Sequence, residues 1–301
     1  MLEPNKIFKL NKRSLILIEG NDKFDFIQGI ISNDIKFLEK KKSIYAAMLS
    51  PQGRYLYDFF ITNHNNNFLL ECPSFQATEI YKKLNLYKLR SDVKIKIIET
   101  FDIFLVSKLN LDEFTINNSE CLFFQDPRFN NSLMRVYAPK EFTIKNKKIS
   151  LMNEDQYNDF RINMNIPDFT KDSKKEKSLL LEMRFDELNG ISWEKGCYLG
   201  QEITARMKYR GKVKKKIFSI SIDFKSRLDE KIFFNEEEVG MILSHNNVKG
   251  FAFIDMMTDI KPSEYLICGD SKIRYEEPWW SKKMTYKVFL MFFRVKNGFL
   301  S

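Results

Sequence analysis

Histidine is nearly absent from this chain, glycine and proline are scarce and its cysteines are unpaired in sequence, and these shortages close off some chemistry. The two histidines, His64 and His245, both sit in polar stretches, leaving little material for a Ser/His/Asp triad or a histidine-based metal centre. Cys72, Cys121, Cys197 and Cys268 lie far apart with no CxxC pair, so neither a disulfide framework nor a four-ligand zinc site is indicated, and no metal site is expected. No phosphate-cradling GxxxxGK or GxGxxG is present. The leading stretch "MLEPNKIFKLNKRSLILIEG" lacks the apolar core of a signal peptide. No run approaches the ~20 apolar residues that span a bilayer, and "KVFLMFF" near the other end is too short. Reduced thiols and no secretory signal make a cytoplasmic location, with no membrane partner, the expectation.

What is present is ample core material. Hydrophobic residues make up 44% of the 301 positions, 28 of them phenylalanine, and 30% are charged. That is the profile of an ordinary globular chain, with room for two or three domains of roughly 100–150 residues. The net charge of +9 raises the prospect of a polyanionic partner. Lys and Asn are however spread throughout, and only 206–216 is dense, so direct nucleic-acid binding is not expected.

Local patterns give the organisation. "RSLILIEGNDKFDFIQGIISNDI" reads as strand, turn at Gly20, then a helix capped by Asn21 or Asp22 with Phe24, Ile27 and Ile31 on one face. "SIYAAMLSPQGRYLYDFFIT" reads as two antiparallel strands around Pro-Gln-Gly, followed by the polar turn "NHNNN". Residues 74–89 place Ala77, Ile80, Tyr81, Leu84 and Tyr87 at helical spacing, and "DVKIKII" alternates as a half-buried strand. "FDIFLV", "CLFF" and "LMRVYA" are short β-like runs around the turn "QDPRFNNS". Asn153 with Gln156 forms a capping box for a helix with Tyr157, Phe160 and Met164 on one face, ended by Pro167. "TKDSKKEKS" reads as a charged surface loop. From 212 to 278 alternating runs and turns at Asn246-Asn247 and Gly269-Asp270 describe an all-β module, with a barrel as its expected form.

The most unusual stretch is "EKGCYLGQEITARMKYRGKVKKK", residues 194–216. Gly196 and Gly200 allow the backbone around Cys197 to take positive φ and approach a ligand closely. Gly200 also suits the start of a helix at Gln201. A thiol before a helix N-terminus and beside Lys195 has two reasons to ionise easily, which makes Cys197 a candidate nucleophile or metal ligand. The competing reading is a buried cysteine acting as a small hydrophobe. Glu202 complements a helix dipole or does acid–base work. The cations from Arg206 to Lys216 either grip an anion or form a solvated face or protected edge.

"KGCYLGQE" with "ARMKYRG" resembles the K-G-C-[FY]-x-G-Q-E signature of the YgfZ-type tetrahydrofolate-binding proteins, relatives of the glycine-cleavage T-protein involved in iron–sulfur protein assembly. "GNDKFDFIQGIISNDI", "LSPQGRYLYDFFI", "KLRSDVKI", "QDPR", "RINMNIP" and "LNGISWEKGC" resemble that family's other landmarks in order, so the likeness covers roughly residues 10–280. The resemblance implies an α+β fold with a C-terminal β-barrel, its domains surrounding a central folate pocket. The expected divisions are 1–100, 101–211 ending in the motif and interleaved with the first, 212–280 as the barrel, and an extension over 281–301. It also implies tetrahydrofolate or a derivative as cofactor, transient iron–sulfur contact at Cys197, partners among iron–sulfur proteins or their assembly machinery, and tRNA modification as an associated process. Lys195, Gly196, Tyr198, Gly200, Gln201 and Glu202 are carried over as motif neighbours of Cys197, and Arg206 as a cation for the folate's glutamyl tail. Gln28 and Asp58 join Tyr198 as candidate pterin contacts. Where the T-protein has an acidic pair, this chain reads Tyr57-Asp58, which favours an accessory factor over an aminomethyltransferase. A basic RNA-binding module is the third reading.

Overall fold

A computed structural model of the chain describes residues 5–112, 120–129, 133–261 and 263–281. The chain begins with β1 (Lys6–Lys9), β2 (Arg13–Glu19), α1 (Lys23–Ile30), β3 (Ser43–Leu49), β4 (Tyr55–His64) and β5 (Asn67–Pro73). It continues through α2 (Ser74–Lys88), β6 (Lys94–Ile98), β7 (Phe101–Ser107), β8 (Leu122–Gln125), β9 (Leu133–Pro139), β10 (Ser150–Met152), α3 (Glu154–Asn163) and α4 (Gln201–Arg210). The last strands are β11 (Lys215–Asp223), β12 (Lys231–Phe234), β13 (Glu237–His245), β14 (Lys249–Asp255), β15 (Leu266–Cys268) and β16 (Ser271–Glu276). The expected extension over 281–301 lies, except for Ser281, outside the described residues, as does "KVFLMFF".

Two compact units emerge, one running to Asn158 and including Asn189–Ile203, the other made of Asp159–Leu188 and the chain from Thr204 on. The first unit holds two five-stranded sheets, ordered β3-β4-β5-β2-β6 and β10-β1-β7-β9-β8. The β4–β5 hairpin turns on Asn65 and Asn66, both at positive φ (50° and 59°), the conformation that lets a two-residue turn follow the strands' twist. Helix α2 buries Ala77, Ile80 and Leu84 in the same cluster as Ile16, Ile18 and Ile95 of β2 and β6, so periodicity and packing agree. The second unit contains the barrel expected from 212–278, closed in the order β11-β14-β13-β12-β15-β16. Phe218, Ile220 and Ile222 of β11 point into its core at a spacing of two.

Three local expectations need correction. Asp22 precedes α1 but makes no cap hydrogen bond. Its carboxylate instead accepts from the Asp92 amide at 2.7 Å, pinning the start of α1 to the loop before β6. The capping box of α3 forms in both directions, Asn153 N to Gln156 Oε1 and Gln156 N to Asn153 Oδ1, each at 2.9 Å. The buried residues of that helix are however Arg161 and Ile162, while Tyr157 and Phe160 are half-buried. "TKDSKKEKS" is not wholly a surface loop, because Asp172 is fully buried. It binds Arg161 at 2.9 Å and accepts a short hydrogen bond from the Ser244 hydroxyl of β13. A buried carboxylate needs such partners, and of these only the Asp168 amide, which donates at 2.8 Å, is near it in sequence.

The first unit is also tied together by buried charge. Glu71 on β5 accepts from Arg13 of β2 at 2.7 Å, Arg135 of β9 at 2.5 Å and the Tyr137 hydroxyl at 3.0 Å. Arg135 lies 3.5 Å from Asp126, which holds Arg128 at 2.9 Å. The Phe60 ring of β4 faces the Arg135 guanidinium at 3.6 Å and that of Arg128 at 4.9 Å. Burial pushes the Glu71 carboxyl up, but the Arg135 and Arg13 guanidiniums outweigh it and hold it below its usual value. Asp126 is likewise held low by Arg128 and Arg135 against its burial. Glu71→Gln takes from Arg13 and Arg135 the carboxylate they share, leaving Arg135 the more distant Asp126, and is expected to cost roughly 3–5 kcal/mol in urea unfolding at pH 7. Both carboxylates sit below their ordinary values, so their contribution is complete above the usual carboxylate range and is lost as pH falls through the folded-state values. The wild-type urea midpoint should therefore drop on acidification, with a shallower drop in Glu71→Gln.

Candidate functional site

The motif 195–202 forms a strap on the first unit, and most of its residues have a structural task. The Lys195 ammonium donates to the carbonyls of Gln28 at 2.7 Å, Ile31 at 2.6 Å and Asn33 at 2.8 Å. These oxygens lie at and just beyond the C-terminal end of α1, where carbonyls lack helical partners and attract a cation. Burial pulls the Lys195 pKa down to about 8, with Asp34 opposing it. The same ammonium lies 4.9 Å from the Tyr198 ring. One step further on, the Leu199 amide donates to Gly29 O at 3.0 Å. The Gln201 side chain folds back to accept from the Tyr198 amide at 3.2 Å.

Gly200 is the tightest point. Its φ is +77°, and a Cβ there would stand 2.3 Å from Ser50 O. Gly53, in the Pro-Gln-Gly turn between β3 and β4, has φ +70° and would place a Cβ 2.8 Å from Gly200 O. Two glycines, far apart in sequence, thus bring two loops together backbone to backbone. Gly196 is different: it is not in the left-handed region, and a Cβ would meet nothing within 4 Å. The strap's entrance is fixed as well. Ser32 Oγ donates to Gly190 O at 2.6 Å, and Asn33 Nδ2 donates to Asn189 O at 2.8 Å.

Cys197 stands exposed on this strap, whereas Cys72, Cys121 and Cys268 are buried. The buried-hydrophobe reading of Cys197 therefore falls. Burial pushes the Cys72 thiol up to about 12, and Cys268 donates to Asp229 O at 3.0 Å. Glu202 lies exposed in the first turn of α4, where its charge complements the helix end.

Gln28 and Asp58 are engaged within the unit. Gln28 donates to Asp34 Oδ1 and accepts from the Ile35 amide, both at 3.0 Å, closing the turn after α1. Asp58 is buried on β4 and accepts from Tyr45 Oη at 2.8 Å and, by a shorter bond, from Tyr55 Oη. Both side chains, two of the three nominated for a pterin, thus hold hydrogen bonds within the protein. Tyr198 is half-buried, its ring beside Lys195. Arg206 belongs to the second unit and is exposed. Along the basic run, Lys208 lies 3.9 Å from Asp186 and Lys216 3.5 Å from Glu187. Edge protection does not describe β11, which pairs with β14 on one side and β16 on the other. Among the described residues, no group of three or more His, Cys, Asp or Glu side chains could hold a metal, and no helix is long and apolar enough to cross a membrane.

Sequence reasoning missed the Glu71 network and the reach of Lys195. The signal available for the first was a Glu and an Arg inside apolar strands, "NFLLECP" and "LMRVYAP", where an unpaired charge would be too costly to keep.

This architecture is that of an α+β aminomethyltransferase fold with a C-terminal six-stranded barrel: the glycine cleavage system aminomethyltransferase T from Bartonella henselae superposes with a TM-score of 0.76 over 91% of this chain and 86% of that one, at 12% identity. No family model matches the chain. Among curated proteins it is similar to the mitochondrial iron-sulfur cluster assembly factor IBA57 homologs of Neurospora crassa (29% identical over 228 residues, 69% of this chain and 52% of that protein) and Dictyostelium discoideum (29% over 269 residues, 75% and 66%). It is also similar to the iron-sulfur cluster assembly factor IBA57, mitochondrial, of Mus musculus (27% over 237 residues, 72% and 66%). The chain spans about half to two thirds of the length of these relatives. Their names correct the cytoplasmic expectation and point to mitochondria. Cysteine usage reports only a reducing environment, and a missing signal-peptide core speaks only to the secretory route.

Two outcomes test the strap. Ellman's reagent should label Cys197 in the folded protein and reach Cys72, Cys121 and Cys268 only on unfolding, with Cys197→Ser abolishing the native signal. Lys195→Met strands three carbonyls and should cost roughly 1–3 kcal/mol, while Gly200→Ala should cost about 1–2 kcal/mol from its left-handed backbone alone. Both variants should speed hydrogen exchange at the Leu199 amide.

Proposed function

We propose that this chain is an accessory factor for iron–sulfur cluster protein assembly or maintenance, of the YgfZ and IBA57 kind, acting through Cys197. The observation that carries this reading is the exposed thiol on a strap whose neighbours Lys195, Leu199, Gly200 and Gln201 are committed to holding the backbone. The names of the relatives and the motif resemblance support it. A single thiolate can ligate iron or a cluster edge but cannot hold a [4Fe–4S] cluster alone, so a partner protein supplies the remaining ligands and the cluster is cargo. The partners are therefore iron–sulfur proteins or their assembly machinery.

Tetrahydrofolate belongs to the proposal through the fold and the motif. The engagement of Asp58 with two tyrosine hydroxyls and of Gln28 with the α1 turn does not favour these two as its contacts. Tyr198, on the first unit, stays as the proposed pterin contact. Aminomethyl transfer is the second reading, favoured by the fold likeness alone. Against an RNA-binding module stand the carboxylates near Lys208 and Lys216.

In cells lacking the endogenous IBA57-type factor, wild-type protein directed to mitochondria is expected to restore cluster-enzyme activity and Cys197→Ala to fail at equal abundance. Full rescue by Cys197→Ala would end the thiol mechanism. Turnover of tetrahydrofolate with a methylamine-loaded lipoyl carrier would replace this reading with the transferase.

A further inference from the structure

Away from the strap, the first unit carries an open groove of about 390 Å³. Cys121, Leu122, Phe123 and Phe124 line one side. Consecutive residues of one strand line a groove together when the strand presents its backbone edge to it, because side chains alternate between faces. Among the described residues, strand β8 is indeed the last of its sheet and pairs only with β9. Its residues Leu122–Gln125 include no charge, proline or glycine. Free edges are commonly guarded by such residues, and β6, one of the two edges of the other sheet, carries Lys94 and Lys96.

The opposite wall carries Glu39, Lys40, Lys41 and Lys42, all exposed. The three lysines make no ion pair among the described residues. Lys42 Nζ lies over the Phe123 ring at 4.2 Å and Lys41 Nζ over Phe37 at 5.2 Å, which backs each ammonium with an aromatic face. Between the walls the buried side chains of Leu38 and Cys121 make an apolar floor, while the Phe124 ring turns to Tyr137.

We propose that this groove docks an extended acidic segment of a partner protein, which adds as a strand to β8, sets an apolar side chain on the floor and lays carboxylates against Lys40, Lys41 and Lys42. Main-chain hydrogen bonds to the edge supply affinity, the floor supplies selectivity for alternate side chains, and the lysines select acidic sequences and speed encounter. RNA fits less well, since the ring best placed to stack a base, Phe123, is covered by Lys42 and a phosphate–sugar backbone has no amides to pair with a strand. The site is independent of the role of Cys197.

The probe is a short fluorescein-labelled peptide alternating aspartate with valine, followed by anisotropy against the full chain. Saturable binding that weakens as salt rises is expected. The triple variant Lys40→Glu, Lys41→Glu, Lys42→Glu should weaken it by about tenfold or more while keeping the wild-type unfolding midpoint, since these side chains are exposed. The same peptide N-methylated at alternate amides should lose binding, which a purely electrostatic contact would not. No saturable binding at low salt, equal binding by the triple variant, equal binding of the methylated peptide, or tighter binding of an oligouridylate would each overturn the proposal.

Discussion

The carboxylate of Glu71, buried between Arg13 and Arg135, is the interaction on which the first unit depends. Hydrophobic burial would press β2, β5 and β9 together without choosing how they meet, because it has no direction. A buried carboxylate shared by two guanidiniums and a tyrosine hydroxyl does choose, since each atom must find its partner or carry a large desolvation cost. From there the network passes through Arg135 to Asp126 and Arg128. The carbonyls of Pro127 and Arg128 accept from the Asn189 side chain, and Asn189 O accepts from Asn33. The ionic network and the entrance to the strap thus form one continuous set of polar contacts.

The strap itself illustrates how a motif divides its labour. A loop that carries a reactive group must be held from below, and here the hold is almost entirely backbone: an ammonium on three carbonyls, an amide on a fourth, and two glycines in near contact. Such contacts leave the exposed side chain free while fixing its position, which is the usual requirement for a presented ligand or nucleophile. The cost is intolerance at Gly200, where neither the left-handed backbone nor the 2.3 Å approach of Ser50 O leaves space for a methyl group.

Much of the fold was legible. Period two in "KKIFSISID", together with Asn and Gly turns, is enough to describe the barrel, because a half-buried strand must alternate. The capping box at Asn153 was equally plain, since both of its partners lie within one helical turn. Asp22 and Asp172 show the limit: each looked like a local cap or a solvated charge, and each bonds a residue remote in the chain. The site divided the same way. The motif marked Cys197 and its neighbours, yet Lys195 beside the cysteine looked like a source of charge for the thiol, whereas its donors turn to the end of α1.

By itself, then, the sequence determined whatever depends on near neighbours: strand and helix periods, turn chemistry, the all-β run over 212–278, and the presence of a cysteine motif with glycines around it, the α+β class coming only through the resemblance that motif carries. Tertiary structure alone decided which of four cysteines meets solvent, where Gln28 and Asp58 spend their hydrogen bonds, and how Gly53 comes to face Gly200. The reason is physical. Periodicity is written into adjacent side chains, while the satisfaction of a buried charge or an orphan carbonyl is settled by atoms that only folding brings within about 3 Å.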